Sequence, residues 1–178
     1  MTEQELIGQC LENNRIAQRE LYDRFSSRMM AVCYRYARSR EDAEEILQES
    51  FVKVFTRLRQ FRSEGSFEGW IRKIVVNTAL QQIRKDLHRS KDISFPENLE
   101  LPDLILSPQA EAKELMDLIQ RLPSGYRAVF NLYAIEGYAH KEIADLLGIS
   151  EGTSRSQYLR ARAWLMKQLT SQPIANVR

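Results

Sequence analysis

Residues 141–162 read KEIADLLGISEGTSRSQYLRAR, two helical patterns joined by a sharp turn, the second rich in arginine. Ile143, Ala144 and Leu147 recur at helical spacing as one apolar stripe. Gly148 stops that helix, because glycine tolerates the left-handed backbone that ends helices. Ile149 supplies an apolar plug for the turn. Ser150 is placed to cap the next helix, with Glu151 favourable in its first turn. In that helix Ser154, Tyr158, Ala161 and Leu165 share one face, while Arg155, Ser156, Leu159 and Arg160 project from another. A helix with one packed face and one basic, small-polar face after a tight turn suits a helix-turn-helix reader of the DNA major groove. The same pattern also suits an ordinary helical hairpin with a solvated charged face.

Working outward, the 178 residues are enough for one domain or two small ones. With 43% apolar and 28% charged residues the chain is globular in composition. A formal net charge of only +2 does not mark a nucleic-acid binder, but the charge is segregated. Arg40–Phe51 carries Glu41, Asp42, Glu44, Glu45 and Glu49 against Arg40 alone, whereas 72–91 and 155–167 are strongly basic. Two kinds of partner surface follow, one acidic and one basic. Cys10 and Cys33 lack metal-ligand spacing and read as reduced packing thiols. The opening MTEQELIGQC is too polar for a signal peptide and no long apolar run occurs, so a soluble, cytoplasmic protein is expected.

The fold class expected is all-α, with two small helical domains. Thr2 and Glu5 resemble a capping box for a short helix. A longer helix covers 15–38, with Ile16, Leu21, Phe25, Met29, Val32 and Tyr36 inward. Ser39 caps the next, 40–60, whose inward stripe is Ala43, Ile46, Leu47, Phe51, Val54, Phe55 and Leu58. A loop at 61–66 precedes a helix from Phe67 to about His88 that buries Phe67, Trp70, Ile71, Ile74, Val75 and Thr78. The proline-containing stretch 91–107 reads as a linker. Ser107-Pro108 opens a helix through Leu122. Pro123-Ser124-Gly125 breaks it, and Tyr126, Val129, Phe130 and Tyr133 mark another helix before the opening motif. Domains are thus expected at 1–90 and 108–172, with a tail at 173–178.

The 67–88 helix holds the second functional signal. Opposite its apolar stripe, Lys73, Asn77, Gln81, Arg84 and His88 share one face. Asn and Gln offer paired donors and acceptors to base edges, and Lys and Arg neutralise phosphates. Phe61, Arg62 and Ser63 in the preceding loop are placed to stack on or bond an unstacked base near the helix start. A solvated amphipathic helix would show the same face. The acids of 40–51 are favourable near a helix N-terminus in any case, but five crowded together favour a basic partner.

With both constellations in view, the chain closely resembles the bacterial extracytoplasmic-function (ECF) sigma factors, the minimal two-domain class. The resemblance is carried by DAEEILQESFVKVF at 42–55, GSFEGWIRKIVVNTA at 65–79, and LPSGYRAVFNLYAIEGYAHKEIADLLGISEGTSRSQYLRARAWL at 122–165. It implies a specificity subunit of RNA polymerase, with no catalytic residues, metal or cofactor of its own. By that resemblance Asp42, Glu45, Gln48, Glu49 and Phe51 contact the core polymerase. The loop around Phe61, Arg62 and Ser63 captures a flipped base of the minus-10 element, Asn77 with Lys73 matches the family's base-contacting and melting positions, and Gln81 and Arg84 join them as neighbours on the same helix face. Arg155, Ser156, Leu159 and Arg160 read the minus-35 duplex, and Arg162 serves a phosphate. The implied partners are core RNA polymerase (the clamp helices of its largest subunit and the flap of the second-largest), promoter DNA and an anti-sigma factor. Two positions depart from the family pattern: Ser154 stands where many relatives carry valine, and Tyr158 where leucine or isoleucine is common.

Two other readings compete. A helix-turn-helix regulator acting without polymerase would share the C-terminal motif, though it usually carries a ligand or receiver domain upstream. An adaptor that never meets DNA would leave the basic faces of both domains unexplained.

Overall fold

The computed structural model of the chain describes residues 1–89 and 112–170, and among these the regular structure is entirely helical. The linker expected at 91–107, the Ser107-Pro108 helix start and the 173–178 tail lie outside the described residues, as does the side chain of His88. Two compact units divide the chain, Met1–Gln82 and Ile83–Arg178, a division inside α4 and ahead of the boundary expected after residue 90.

In the first unit, α1 (Glu3–Leu11) starts with the full capping box: Glu5 N–H donates to Thr2 Oγ1 at 3.2 Å, and Thr2 N–H to Glu5 Oε2 at 2.8 Å. Helix α2 (Arg15–Tyr36) is capped by Asn14, whose Oδ1 accepts from Ile16 and Ala17 N–H. Its buried row is Ala17, Leu21, Phe25, Met29, Val32 and Tyr36. Ile16, expected inward, is 79% exposed. It lies one residue off that row, so the helix's roughly 100° step turns it to solvent while Ala17 takes the inward place.

Ser39 Oγ accepts from Asp42 N–H at 3.1 Å and starts α3 (Arg40–Arg57), which tightens into a 3₁₀ turn at Leu58–Gln60. Ala43, Ile46, Leu47, Phe51, Val54 and Leu58 are buried as the stripe predicts, and Phe55 is half-buried. Ser66 then caps α4 (Phe67–Arg89), its Oγ accepting from Gly69 N–H at 2.9 Å. The head of α4 is fixed by rings. Phe67 meets Phe25 of α2 edge-on at 5.5 Å and lies beside Trp70 at 5.8 Å. Arg28 of α2 pairs with Glu68 at 2.6 Å across the same junction.

The second unit contains α5 (Ala112–Arg121), α6 (Ser124–Phe130), α7 (His140–Leu147) and α8 (Glu151–Thr170). The break between α5 and α6 falls at Leu122–Pro123, so Ser124 and Gly125 already belong to α6. Buried Arg127 donates from Nη1 to the Gln120 carbonyl at 2.6 Å, satisfying a C-terminal acceptor of α5. Leu118, Ile119, Leu122 and Tyr126 pack against Ala161, Trp164 and Leu165 of α8.

Helix α6 runs into a π-helical turn, Asn131–Ile135, closed by Glu136 N–H to Asn131 C=O at 2.9 Å. The wider turn shifts the register, and Tyr133 comes to the surface. Helix α7 ends at Gly148 with φ +68°, where its N–H bonds the Ala144 carbonyl. Ser150 Oγ accepts from Thr153 N–H at 3.0 Å and starts α8.

The weak cap is at α7. Ala139 occupies the N-cap and has no side-chain acceptor, although its own N–H donates to Glu142 Oε2 at 2.8 Å. Ala139→Ser should supply the missing half of the box and stabilise by about 1 kcal/mol. Circular-dichroism melting of the full chain should register this as a rise of about 4–8 °C in the transition of the second unit. An unchanged or lower Tm would show that the cap geometry is not as described.

Candidate nucleic-acid interface

Helix α8 sets one half of the interface. Ser154, Gln157, Ala161, Trp164, Leu165 and Gln168 face inward. Compared with the stripe expected from sequence, the buried face is turned toward Trp164 and its neighbours Gln157 and Gln168, leaving Tyr158 half-buried. An indole has more apolar surface to bury than a phenol and takes the core position. On the outer face Arg155, Ser156, Leu159, Arg160 and Arg162 are all exposed. Arg155 Nη2 lies 2.5 Å from Glu151 Oε1 one turn earlier, and this partner holds the Glu151 carboxyl below the usual carboxylate range.

The two departures from the family pattern are explained together. Ser154 is fully buried, and its Oγ lies 2.9 Å from His140 Nδ1 at the start of α7. The His140 ring stacks on Tyr133 at 4.3 Å with a 9° interplanar angle, and Tyr158 meets Tyr133 at 4.4 Å. A valine at 154 would offer no hydrogen-bonding partner to the imidazole. Ser154 and Tyr158 therefore belong to one cluster with His140 and Tyr133, which braces α7 against α8 from behind the exposed arginines. Sequence reasoning missed His140 and Tyr133 as supports, since contacts made through a π-helical turn leave no periodic signal.

In the first unit Lys73, Asn77 and Gln81 are exposed at successive i, i+4 positions of α4; Arg84, on the end of α4 that falls in the second unit, is half-buried. The preceding loop exposes Arg62 and Ser63. Ser63 has φ +57° and Gly65 φ +98°. A serine in the left-handed region costs roughly 1–2 kcal/mol, and such strain tends to gather at ligand-holding segments. Phe61 is half-buried, with its ring 5.0 Å from Phe67 and 5.6 Å from Trp70. It therefore anchors the loop to the head of α4 while leaving only part of its face to a ligand.

The acidic face of α3 exposes Glu45 and Gln48, with Asp42 and Glu49 half-buried. Its crowding is relieved locally: Arg38 pairs with Asp42 at 3.2 Å, Arg40 with Glu44 at 2.9 Å, and Lys53 with Glu49 at 2.7 Å. Phe51, assigned above to polymerase contact, is only 3% exposed and meets Tyr22 edge-on at 4.7 Å. The apolar side chain that α3 presents is the next one, Val52, at 62% exposure. Val52 lies one turn beyond Gln48, and only the burial of its neighbour distinguishes it.

Comparison with known proteins agrees with this geometry. A Sigma-70 region 2 model matches residues 21–89, and a Sigma-70 region 4 model matches 112–165. The chain is 27% identical to the ECF RNA polymerase sigma-E factor of Haemophilus influenzae, over 98% of this chain and 97% of that one. It is 31% identical to the ECF sigma factor SigE of Mycolicibacterium smegmatis, over 84% of this chain and 60% of the relative. Among solved structures, the sigma factor RpoE of Bartonella quintana, crystallised with the anti-sigma factor NepR, shares the fold with a TM-score of 0.52. That similarity has 18% identity and covers 87% of this chain and 98% of that one. The chain belongs to the ECF class of the sigma-70 family of RNA polymerase sigma factors. Its function is the promoter-directed initiation of transcription typical of that family, and sigma factors are not enzymes. Among the described residues no helix is long and apolar enough to cross a membrane.

Partial burial, and secondarily the nearby Arg155 charge, place the His140 pKa below its ordinary value of 6.5, with Glu151 opposing. The unfolded chain then binds a proton more readily than the folded one. Stability from this source is complete above pH 6.5 and declines as pH falls below it. Melting between about pH 7.5 and pH 5.5 should therefore lower Tm more for the wild type than for His140→Gln, which does not titrate there. Equal losses in the two proteins would refute this account of His140.

Proposed function

We propose that the protein docks on core RNA polymerase through the outward face of α3, with Asp42, Glu45, Gln48 and Glu49 meeting the basic clamp helices of the largest subunit. Val52 joins them as the apolar contact, and Phe51 acts from inside by holding α3 on α2. The 61–66 loop with Lys73, Asn77, Gln81 and Arg84 takes the non-template strand of the minus-10 element. Arg155, Ser156, Leu159 and Arg160 enter the major groove at minus-35, and Arg162 pairs with a phosphate. The second unit rests on the flap of the second-largest subunit.

The observation that carries this reading is the exposed ladder Lys73–Asn77–Gln81 directly after a loop with strained backbone at Ser63. Extruding a base costs a few kcal/mol of unstacking, and a preformed loop beside a row of amide and ammonium donors can offset that cost. Neither half-reader has the contact area for tight binding alone, so affinity comes from linking both through the polymerase. An anti-sigma factor covering the α3 face is the regulator that fits this arrangement. Bartonella quintana RpoE, a protein of the same fold, was crystallised with the anti-sigma factor NepR, and that complex lends this part its support.

Run-off transcription with purified core enzyme and pooled promoter fragments tests the whole. The full chain should yield start-site-specific transcripts; their absence with folded protein and active core would end the proposal. Arg155→Ala should cost about 1–3 kcal/mol of minus-35 discrimination. Asn77→Ala should instead lower permanganate reactivity of the minus-10 region. If both variants lost only polymerase binding, the assignment of faces would be wrong. Specific gel-shift binding of duplex DNA by the free chain, as tight as that of the holoenzyme, would point to a regulator that works without polymerase.

A further inference from the structure

Lys53 sits on α3 one turn after Glu49, and an i, i+4 pair of this kind is ordinarily a solvated contact of little consequence. Its surroundings here are different. The Lys53 side chain is only 20% exposed. Its ammonium lies 2.7 Å from Glu49 Oε1, 2.9 Å from Gln81 Oε1 and 3.2 Å from Thr78 Oγ1. An ammonium has three N–H donors and no acceptor, so every donor is matched, two of them on a different helix. The Thr78 hydroxyl donates to the Ile74 carbonyl at 2.9 Å, leaving its oxygen free to accept from Lys53.

This arrangement decides how Gln81 is presented. A side-chain amide has an oxygen face and an NH₂ face, and its terminal torsion is broad enough to expose either. Because Lys53 only donates, the atom it faces must be the amide oxygen, and Nε2 is turned away from it. We propose that Lys53 is a positioning residue for promoter reading: held by Glu49 and Thr78, it locks the Gln81 amide so that α4 offers a hydrogen-bond donor to the minus-10 strand. The proposal rests on the minus-10 role given to α4 and adds a residue from α3, the helix assigned to polymerase docking. Without Lys53 the amide flips freely, and the position it reads accepts donors and acceptors alike.

The test is holoenzyme reconstituted with the full chain and a promoter library randomised at each minus-10 position, read by sequencing the transcripts. Gln81→Ala should reduce base preference at one position by about three- to tenfold, the value of a single hydrogen bond. Lys53→Met should reduce preference at that same position by a similar factor. Lys53→Arg, still a donor, should restore most of it, and the Lys53→Met/Gln81→Ala double variant should be no worse than either single one. Losses that multiply in the double variant, or a Lys53→Met loss spread evenly over all positions, would overturn the positioning role. If Lys53→Met melts below the wild type, Lys53→Leu, which likewise has no donor, carries the same test. A Gln81→Ala holoenzyme with unaltered preference everywhere would overturn the minus-10 assignment of Gln81 itself, an outcome distinct from a failure of Lys53 alone.

Discussion

Each helix in units this small can bury one stripe and must leave the rest to water, and that constraint organises the molecule. Helix α4 shows it most clearly. Phe67, Ile71, Val75 and Ala79 are buried at successive i+4 positions. With that row fixed, Lys73, Asn77 and Gln81 can only form a parallel row on the opposite side. Burying a large apolar side chain is worth about 1.5–3 kcal/mol, several times more than any exposed polar contact on the outer row. The core therefore sets the rotation of α4, and the reading face follows from it. The same holds for α8, where burying Trp164 turns Arg155 and Arg160 outward.

Those rotations were largely legible in the sequence because they obey a period. Thr2, Ser39, Gly148 and Ser150 mark helix ends through local chemistry, and each acts where expected. What the period could not give is a choice between neighbouring residues. Ile16 and Ala17 both suit an inward turn, and the phase of the row Leu21–Phe25–Met29–Val32–Tyr36 sets which one packs. Phe51 was read both as core and as a polymerase contact; its burial against Tyr22 leaves Val52 as the exposed apolar residue. The surface position of Tyr133 follows from a π-helical turn, which adds a residue that no 3.6 periodicity anticipates. Contacts distant in sequence, such as His140 with Ser154 and Lys53 with Gln81, have no signature at all in one chain.

The family matches give function to faces that physics alone leaves open. An exposed Lys–Asn–Gln row could be merely solvated, and the helix-turn-helix could be a plain hairpin. The matches put that row within sigma-70 region 2 and the helix-turn-helix within region 4, and the assignment of faces proposed above draws on that order. The departures at 154 and 158 then cease to be anomalies. They exchange apolar packing for a buried hydroxyl–imidazole contact and an aromatic stack that perform the same bracing.

The charged faces carry one more consequence. Arg155 with Glu151, Arg38 with Asp42, and Arg40 with Glu44 are i, i+4 pairs within one helix or its approach, each with an exposed arginine. Such pairs contribute about 0.3–0.5 kcal/mol each. A phosphate or a basic clamp surface can therefore displace the internal partner at small cost. Free in solution, these three pairs neutralise part of the segregated charge internally. Lys53 is the exception. Its side chain is only 20% exposed and reaches two helices, so exchanging its partners would break three hydrogen bonds rather than one. The displaceable pairs lie on faces assigned to exchange partners, whereas Lys53 lies behind a side chain that must hold a single orientation and ties it to Glu49 at the edge of the docking face.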